Sequence, residues 1–477
     1  MQRVFEISIL VIAVAAILFF STYKLTSSPP PWVDEGIVTQ VARNIVLGNG
    51  SSIQIAPDTF VSAGFVTTGF PVTYPVALSF KLFGIGLFQA RVVMVGFIWL
   101  LAASAYGLIR REAGGLAAAC TLLLLASFAP LYGHGRTVIG EIPGTALILA
   151  LLLLIRSRQG QVLSCRFLVG AGLLLGLILA TKPVFLIVAV PALLGSFLLF
   201  RHERLSAREL GVLCVGVCIP LVLWFTSQFD NESLGEILSI YSGNPDRISL
   251  GATVLGNVAS VFTHLETLYF FGLISLWGAS LAVARKERSS SYAERSAFVF
   301  ALLLGSAYFT TDGYYRYFFP AQILALVYVP LSLSRLAEFV AARMSAATNI
   351  VRSTVAGGLL FLCAVQLYET KHNSFVVGHF KNTQSALLQE YLGNVGEGPV
   401  LVWGIPEAVL FLPHDNYYQY ARFARTERGK EQIPRLLSEA IPEMIIMPTS
   451  LLETVPAIDG YPLKYSFEKY SVIARER

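Results

Sequence analysis

Long apolar stretches, separated by short polar joints, recur from residue 4 to residue 369. As helices, such stretches are long enough to cross a hydrocarbon core of roughly 30 Å. We predict about eleven spans, near residues 4–23, 88–109, 114–132, 138–155, 167–181, 184–200, 210–227, 262–284, 296–311, 317–334 and 353–369. The pattern therefore predicts a polytopic α-helical membrane protein.

The first loop, residues 24–87, has a pattern of its own. Apolar residues recur at helical spacing over Glu35–Leu47, and Gly48 then supplies a stop. We expect an amphipathic helix that begins at Asp34 and lies on the outer membrane surface. A second amphipathic helix is predicted over Tyr74–Phe83.

The tail after the last span changes character. Helical and strand-like patterns alternate there, as helix 382–391, strand 399–404, helix 432–440 and strand 443–448. We therefore divide the chain into a membrane domain, residues 1–370, and a small C-terminal α/β domain, residues 371–477. The cluster Tyr417-Tyr418-Gln419-Tyr420 in the tail could stack on sugar rings or pack against the membrane domain.

Charge agrees with this picture and sets an orientation. Only 14% of the residues are charged, the mean hydropathy is +0.64 and the net charge is +5. Basic residues concentrate in alternate loops, so the positive-inside rule places the N-terminus in the cytoplasm. The loop 24–87 and the α/β domain are then extracytoplasmic, on the outer face of an inner (plasma) membrane. No nucleic-acid motif is present, so we expect membrane lipids and no nucleic acid as partners.

The adjacent carboxylates Asp34 and Glu35 repel each other and are costly to desolvate near a membrane. A purely structural explanation is that Asp34 caps the helix and Glu35 interacts with its dipole. However, Glu141, Lys182 and Arg316 stand at three other helix ends, all predicted at the same outer depth. Capping or snorkelling could explain each of them singly. Their shared depth favours a common site.

A divalent cation is an alternative use of the acidic residues. Asp34, Glu35 and Glu141 could together bind Mg²⁺ or Mn²⁺, because both ions prefer oxygen ligands. The other possibility is a site that works without a cofactor.

Several short motifs follow one another in a set order over about residues 1–340. They are Asp34-Glu35, Ala42-Arg43-Asn44, Tyr74-Pro75, Lys81-Leu82-Phe83-Gly84, Gly140-Glu141-Ile142-Pro143, Thr181-Lys182-Pro183 and Arg316-Tyr317-Phe318-Phe319-Pro320. No single motif is specific, but the ordered set resembles the GT-C glycosyltransferase superfamily, in its protein O-mannosyltransferase and lipid A aminoarabinose transferase branch. One departure is Gly36-Ile37-Val38 after the acidic pair, where the family often has aromatic residues.

The resemblance implies a GT-C-like fold and an inverting transferase without a metal cofactor. It would move a hexose or pentose from a polyprenyl-phosphate carrier to an acceptor hydroxyl on a glycan, lipid or protein. Asp34 is the expected general base, with Glu35 and Glu141 as further catalytic carboxylates. The residues expected to bind the donor and its phosphate are Lys182, Arg316, Arg136, Arg43 and Tyr315.

Two other classes remain open. The chain could be a transporter or flippase of lipid-linked sugars, or a scaffold that presents the C-terminal domain. Transporters usually place charged sites near the bilayer midplane and often contain inverted repeats, and neither feature is found in this sequence. A scaffold gives no reason for charges from four helix ends to share one depth.

The orientation can be tested by labelling. In a background without native cysteines, a cysteine introduced near residue 50 should react with an impermeant maleimide on intact cells, because the loop 24–87 is predicted outside. A cysteine introduced beside Arg158 is the control and should react only after permeabilisation. The reverse pattern would invert the topology.

Overall fold

The computed structural model describes residues 2–158, 164–186, 206–229, 250–263, 265–287, 289–311, 314–344, 348–420, 441–452, 458 and 460–476. The α-helices within these ranges are α1 (Gln2–Thr22), α2 (Val33–Leu47), α3 (Phe70–Phe83), α4 (Leu87–Ala113), α5 (Gly115–Ala126), α6 (Ala129–Gly135), α7 (Glu141–Ser157), α8 (Cys165–Thr181), α9 (Ala207–Gln228), α10 (Leu250–Thr263), α11 (Leu265–Glu287), α12 (Tyr292–Tyr308), α13 (Phe319–Met344), α14 (Thr348–His372), α15 (Gln384–Gly393) and α16 (Thr449–Leu452). Short 3-10 helices cover Pro183–Phe185, Tyr315–Tyr317, Val377–His379 and Pro406–Phe411.

The predicted spans coincide with helices wherever the structure describes them. Five helices in the described part are long and apolar enough to cross a membrane, namely α1, α4, α9, α11 and α13. Helices α5 and α6 add a sixth if they form one span, which is then bent by 63°. Most of the predicted span 184–200 and all of the predicted helix 432–440 lie outside the described residues. The total of eleven spans stays a prediction.

The loop 24–87 folds into α2, a β-hairpin and α3. The hairpin pairs β1 (Ser52–Ala56) with β2 (Thr59–Ser62) and had no counterpart in the sequence pattern. Helix α2 ends at Gly48, whose φ of +87° suits a residue without a Cβ. The prediction that α2 begins at Asp34 is wrong, because Trp32 occupies the cap position and Asp34 lies in the first turn.

Helix α2 is enclosed on both sides. Its apolar residues Val38, Val41 and Ala42 pack against α3 and α4. Its polar residues Gln40 and Arg43 are also buried, at 0% and 7% exposure. A helix that lies freely on a membrane surface exposes its polar face, whereas this face of α2 is buried. The polar face finds partners in the C-terminal part of the chain, which a local pattern cannot reveal.

The C-terminal region contains a mixed five-stranded sheet. Its strands are β3 (Val400–Trp403), β4 (Tyr417–Tyr420), β5 (Met444–Pro448), β6 (Leu463–Ser466) and β7 (Tyr470–Ala474), in the order β4-β3-β5-β7-β6. Strand β3 runs parallel to β4 and β5, while β7 is antiparallel to β5 and β6. Helix α15 and the 3-10 helix Pro406–Phe411 share one apolar core with the sheet. The predicted strands 399–404 and 443–448 correspond to β3 and β5.

Helices α8 and α9 are in close backbone contact at two glycine residues of α8. A Cβ on Gly172 of α8 would lie 2.4 Å from the Leu213 carbonyl oxygen of α9, and one on Gly176 would lie 2.6 Å from the Val217 carbonyl oxygen. Small residues spaced by four allow such close backbone contact between helices in a membrane. Lys182 directly follows α8, so this contact also sets the position of Lys182.

Filling the α8–α9 contact should destabilise the fold. Gly172→Leu should cost about 1–3 kcal/mol, because the new side chain forces the two helices apart. Gly170→Leu on the same helix is the control, since a Cβ at Gly170 meets nothing within 4 Å. Thermal unfolding in detergent should show a lower midpoint only for the Gly172 variant, and equal midpoints would contradict the close contact.

Candidate active site

Asp34 extends from the first turn of α2 towards Arg316, in the 3-10 helix Tyr315–Tyr317. The Arg316 guanidinium donates a hydrogen bond to Asp34 Oδ2 within an ion pair. The Asp34 side chain is 39% exposed and the Arg316 side chain 14%. The pair therefore lies at an opening rather than in the core, and the carboxylate is accessible to a substrate.

Three aromatic rings surround the Arg316 guanidinium. The ring centroids of Trp32, Tyr314 and Tyr317 lie 4.9, 5.3 and 4.9 Å from its central carbon. Burial alone would lower the pKa of Arg316, but the Asp34 carboxylate and Tyr317 raise this pKa above its ordinary value. Arg316 is therefore a permanent cation in an aromatic setting.

Lys182 and Glu141 form a second, more deeply buried ion pair. Lys182 Nζ donates to Glu141 Oε1, and the two side chains are 5% and 0% exposed. Gly140 allows the approach, because a Cβ there would lie 2.8 Å from the Thr181 carbonyl oxygen. Among the described residues, Glu141 Oε2 is buried without a hydrogen-bond partner. The Glu141 carboxylate thus has free accepting capacity.

The two ion pairs are neighbours. Lys182 Nζ lies 5.2 Å from the Tyr317 ring centroid, on the same ring that contacts Arg316. Arg316 interacts electrostatically with both Asp34 and Glu141. The structure thus brings together four charges from separate helix ends, two carboxylates and two cations.

Tyr315 lies on the wall of a cavity of about 370 Å³ between α6, α11 and α14. Its hydroxyl donates to Gln322 Oε1. The rest of the lining is mainly apolar, with polar groups from α14, and consists of Phe128, Ala129, Pro130, Leu268, Tyr269, Val365, Gln366, Glu369 and Asn373. Tyr315, which directly precedes Arg316 in the sequence, is thus part of the wall of a mainly apolar cavity.

Glu35 does not join the cluster around Arg316. It is completely buried and accepts hydrogen bonds from Arg91 Nε at 2.8 Å, Arg91 Nη2 at 2.6 Å and the Val138 backbone N–H at 3.2 Å. Arg91 Nη1 also donates to the carbonyl oxygens of Leu25 at 2.7 Å and Pro29 at 2.9 Å. This pair ties α2, α4, the start of the loop 24–87 and the segment before α7 together.

Two arginines assigned to the donor also lie elsewhere. Arg136 is completely buried and donates to the Tyr23 carbonyl oxygen at 2.6 Å. Burial, with repulsion from Arg91, lowers the pKa of Arg136 to about 9. Arg43 lies near the other end of α2 and pairs with Asp415 in the C-terminal region. The structure therefore places both outside the cluster.

The divalent-cation alternative requires Asp34, Glu35 and Glu141 to converge. Instead, each carboxylate pairs with a different cation. Within the described ranges, no three His, Cys, Asp or Glu side chains are grouped closely enough to share a metal ion. The arrangement of the three carboxylates does not fit the metal alternative.

Several residues around the cluster were not foreseen from the sequence. Arg91 lies inside the predicted span 88–109, and an arginine in an apolar helix is itself a signal of a buried partner. Trp32 and Tyr314 had no periodic signal, since each lies in a short connection. Only the fold reveals that their rings meet at Arg316.

The fold and the site define a class of protein. A cluster of two carboxylates and two cations lies at the starts of α2, α7 and α13 and at the end of α8. The C-terminal region contacts the loop that supplies one of the carboxylates. These features are those of a multi-spanning membrane protein with a charged site at the ends of its helices.

Comparison with known proteins confirms the resemblance. Residues 69–226 match the family model described as dolichyl-phosphate-mannose-protein mannosyltransferase. The chain is similar to ArnT from Cupriavidus metallidurans bound to undecaprenyl phosphate, with a TM-score of 0.62 and 16% identity over 97% of each chain. No curated protein sequence matches it.

Two archaeal structures share the fold at lower similarity. The oligosaccharyltransferase of Archaeoglobus fulgidus, tethered with an acceptor peptide, gives a TM-score of 0.51 and 13% identity over 99% of this chain and 74% of that one. AglB of Archaeoglobus fulgidus, in complex with an inhibitory peptide and a dolichol-phosphate, gives a TM-score of 0.51 and 13% identity over 94% of this chain and 70% of that one.

Breaking the Glu35–Arg91 pair should destabilise the protein strongly. Arg91→Met should cost about 3–5 kcal/mol, because it leaves a buried carboxylate without its cation. Arg110→Met, at an exposed position of the same helix α4, is the matched control. Thermal unfolding should separate the two variants, and adding Glu35→Gln to Arg91→Met should restore part of the loss. Equal midpoints for the two single variants would contradict the buried pair.

Proposed function

We propose that this protein is an inverting glycosyltransferase that moves a sugar from a polyprenyl-phosphate carrier to an acceptor hydroxyl at the outer face of the plasma membrane. The observation that carries this proposal is the Asp34–Arg316 pair beside the Lys182–Glu141 pair. The shared fold supports it, since structures of that fold hold undecaprenyl phosphate and a dolichol-phosphate.

Asp34 is the proposed general base. An acceptor hydroxyl is a weak nucleophile until a base takes its proton. Of the two carboxylates in the cluster, Asp34 is the one that substrate can reach, since Glu141 is completely buried. In the proposed step, Asp34 accepts the proton while the acceptor oxygen bonds to the anomeric carbon. The bond from that carbon to the phosphate oxygen breaks on the opposite side.

Arg316 and Lys182 are the proposed phosphate ligands. The lipid phosphate leaves as an anion, so it needs cationic hydrogen-bond donors rather than a general acid. Arg316 stays charged because Asp34 and Tyr317 raise its pKa. Glu141 holds Lys182 in place through a short approach that Gly140 permits.

The resting ion pairs give this mechanism an order. Asp34 is bound to Arg316 and Glu141 to Lys182, so the four charges sum to zero before the donor arrives. A phosphate that binds Arg316 competes with Asp34 for the same N–H donors. The carboxylate is then released for the acceptor only when the donor is present. This arrangement favours donor binding before acceptor activation.

The cavity beside Tyr315 is the proposed place for the first isoprenoid units of the carrier. Its wall is mainly apolar, it lies between α6, α11 and α14, and it is lined by Tyr315, which directly precedes Arg316 in the sequence. A phosphate at Arg316 and a lipid chain in the cavity would place the sugar near Trp32 and Tyr314. Their rings offer flat faces to a sugar ring. The acceptor, on a glycan, lipid or protein, would approach Asp34 from the exposed side.

Removing the base should separate chemistry from donor binding. Asp34→Asn should lower transfer of a labelled sugar by about 10²- to 10⁴-fold, the usual contribution of a general base. Binding of undecaprenyl phosphate should be retained or tightened, because Arg316 loses its resting partner. Arg316→Met should weaken that binding.

Asp58→Asn is the matched control, because Asp58 is an exposed aspartate of the same loop. It should leave both transfer and lipid binding unchanged. Normal transfer by Asp34→Asn would remove Asp34 as the base. Normal lipid binding by Arg316→Met would remove the phosphate ligand.

A further inference from the structure

The turn between β6 and β7 reaches the segment that precedes Asp34. Lys469 in this turn donates from Nζ to the Pro31 carbonyl oxygen at 2.6 Å and to Glu407 Oε1 at 2.7 Å. Pro31 is buried and directly precedes Trp32, whose ring contacts Arg316. One lysine of the C-terminal sheet thus holds the backbone beside the candidate site.

Glu407, the carboxylate partner of Lys469, restricts where the Lys469 ammonium can lie. Glu407 is completely buried, and its Oε2 has no hydrogen-bond partner among the described residues. Burial raises the pKa of Glu407, while the Lys469 charge opposes that shift. Lys469 Nζ also lies 5.1 Å from the Tyr470 ring centroid. The ammonium is therefore directed by a carboxylate and an aromatic ring as well as by the Pro31 carbonyl.

Helix α2 packs closely against the same part of the C-terminal region, around Pro406 and Glu407. A Cβ on Gly36 would lie 2.3 Å from the Glu407 backbone nitrogen, so the two backbones touch. One turn further on, Gln40 Nε2 donates to the Pro406 carbonyl oxygen at 2.8 Å and to Gln419 Oε1 at 2.9 Å. The face of α2 that points away from the membrane helices is thus fixed along its length.

We infer that the C-terminal sheet domain is part of the active site, and that Lys469 is a positioning residue that holds the Pro31–Asp34 segment against Arg316. Lys469 acts through the Pro31 carbonyl, which sets the backbone of Trp32 and the first turn of α2. Displacement of a reacting group by about 1 Å can cost a reaction on the order of 100-fold. The inference deepens the proposed transfer reaction and rests on it for the kinetic part of its test.

The kinetic test uses the full-length protein in nanodiscs. Lys469→Met should lower kcat on the order of 10- to 100-fold, because the base is misplaced. KM for the polyprenyl-phosphate donor should change far less than kcat, since Arg316 and Lys182 remain. Lys469→Arg should recover most of the loss, because a guanidinium can still reach both oxygen atoms. Lys464→Met is the control, on the exposed strand β6 of the same sheet, and should behave as wild type.

A second variant guards against a general folding defect. Lys469→Met leaves Glu407 as a buried charge without a cation, which by itself destabilises a protein. The double variant Glu407→Gln with Lys469→Met removes that charge and still lacks the contact to Pro31. If the double variant recovers wild-type kcat, the positioning role is overturned and the single variant acted only through stability.

Hydrogen exchange provides a test that does not need transfer activity. Peptides that cover residues 31–40 should exchange faster in Lys469→Met and in the double variant than in wild type or Lys464→Met. Faster exchange with an inactive wild-type protein would refute the proposed function but support the positioning contact. Unchanged exchange and unchanged kcat would overturn the inference while leaving the proposed transferase intact.

Discussion

The buried ion pair between Glu35 and Arg91 is the constraint on which the arrangement of the outer segments depends. Both side chains are completely buried, so their desolvation must be offset by good geometry. Glu35 accepts two hydrogen bonds from the Arg91 guanidinium and one from the Val138 N–H. The guanidinium also donates to two backbone carbonyl oxygens. Successive residues of a helix point about 100° apart. Once Glu35 is directed into the core, Asp34 must point elsewhere, and the position it reaches is Arg316.

The adjacent carboxylates thus have different physical tasks. Glu35 fixes the position of α2 through Arg91. Asp34 lies at an opening, where it is paired with Arg316, a cation that a substrate phosphate could also bind. The same division applies to the cations. Arg91 is bound to protein oxygens on every side, whereas Arg316 is shared between one carboxylate and three aromatic rings. A charge that is fully satisfied within the protein stabilises it, and one that is partly satisfied can still bind a ligand.

The sequence predicted those parts of the fold that depend on local periodicity. The apolar spans, the helix that ends at Gly48 and the strands β3 and β5 all follow from patterns of a few neighbouring residues. The short hairpin of β1 and β2 was missed because its strands mix polar with apolar residues, whereas β3 and β5 are nearly continuous apolar runs. The burial of the polar face of α2 was missed because Gln419 and Asp415 lie more than 350 positions away.

The candidate site was predictable to the same degree. Topology placed Glu141, Lys182 and Arg316 at one depth, and the structure gathers them with Asp34. Depth alone could not tell which cation pairs with which carboxylate, so Arg43 and Arg136 were assigned to the donor although one contacts the C-terminal region and the other is enclosed beside Arg91. A contact such as that of Lys469 with Pro31 cannot be predicted from the residues that flank either partner in the sequence.

The separation of Lys469 from Pro31 along the chain has a consequence for biogenesis. The two residues lie 438 positions apart. During synthesis, the segment that carries the acidic pair emerges long before the β6–β7 turn that binds it. A chain that stops before Lys469 contains every long apolar helix described here but lacks this contact. The position of Asp34 then depends on a late step of synthesis, because the Pro31–Asp34 segment lacks its contact with Lys469 until the β6–β7 turn has been made.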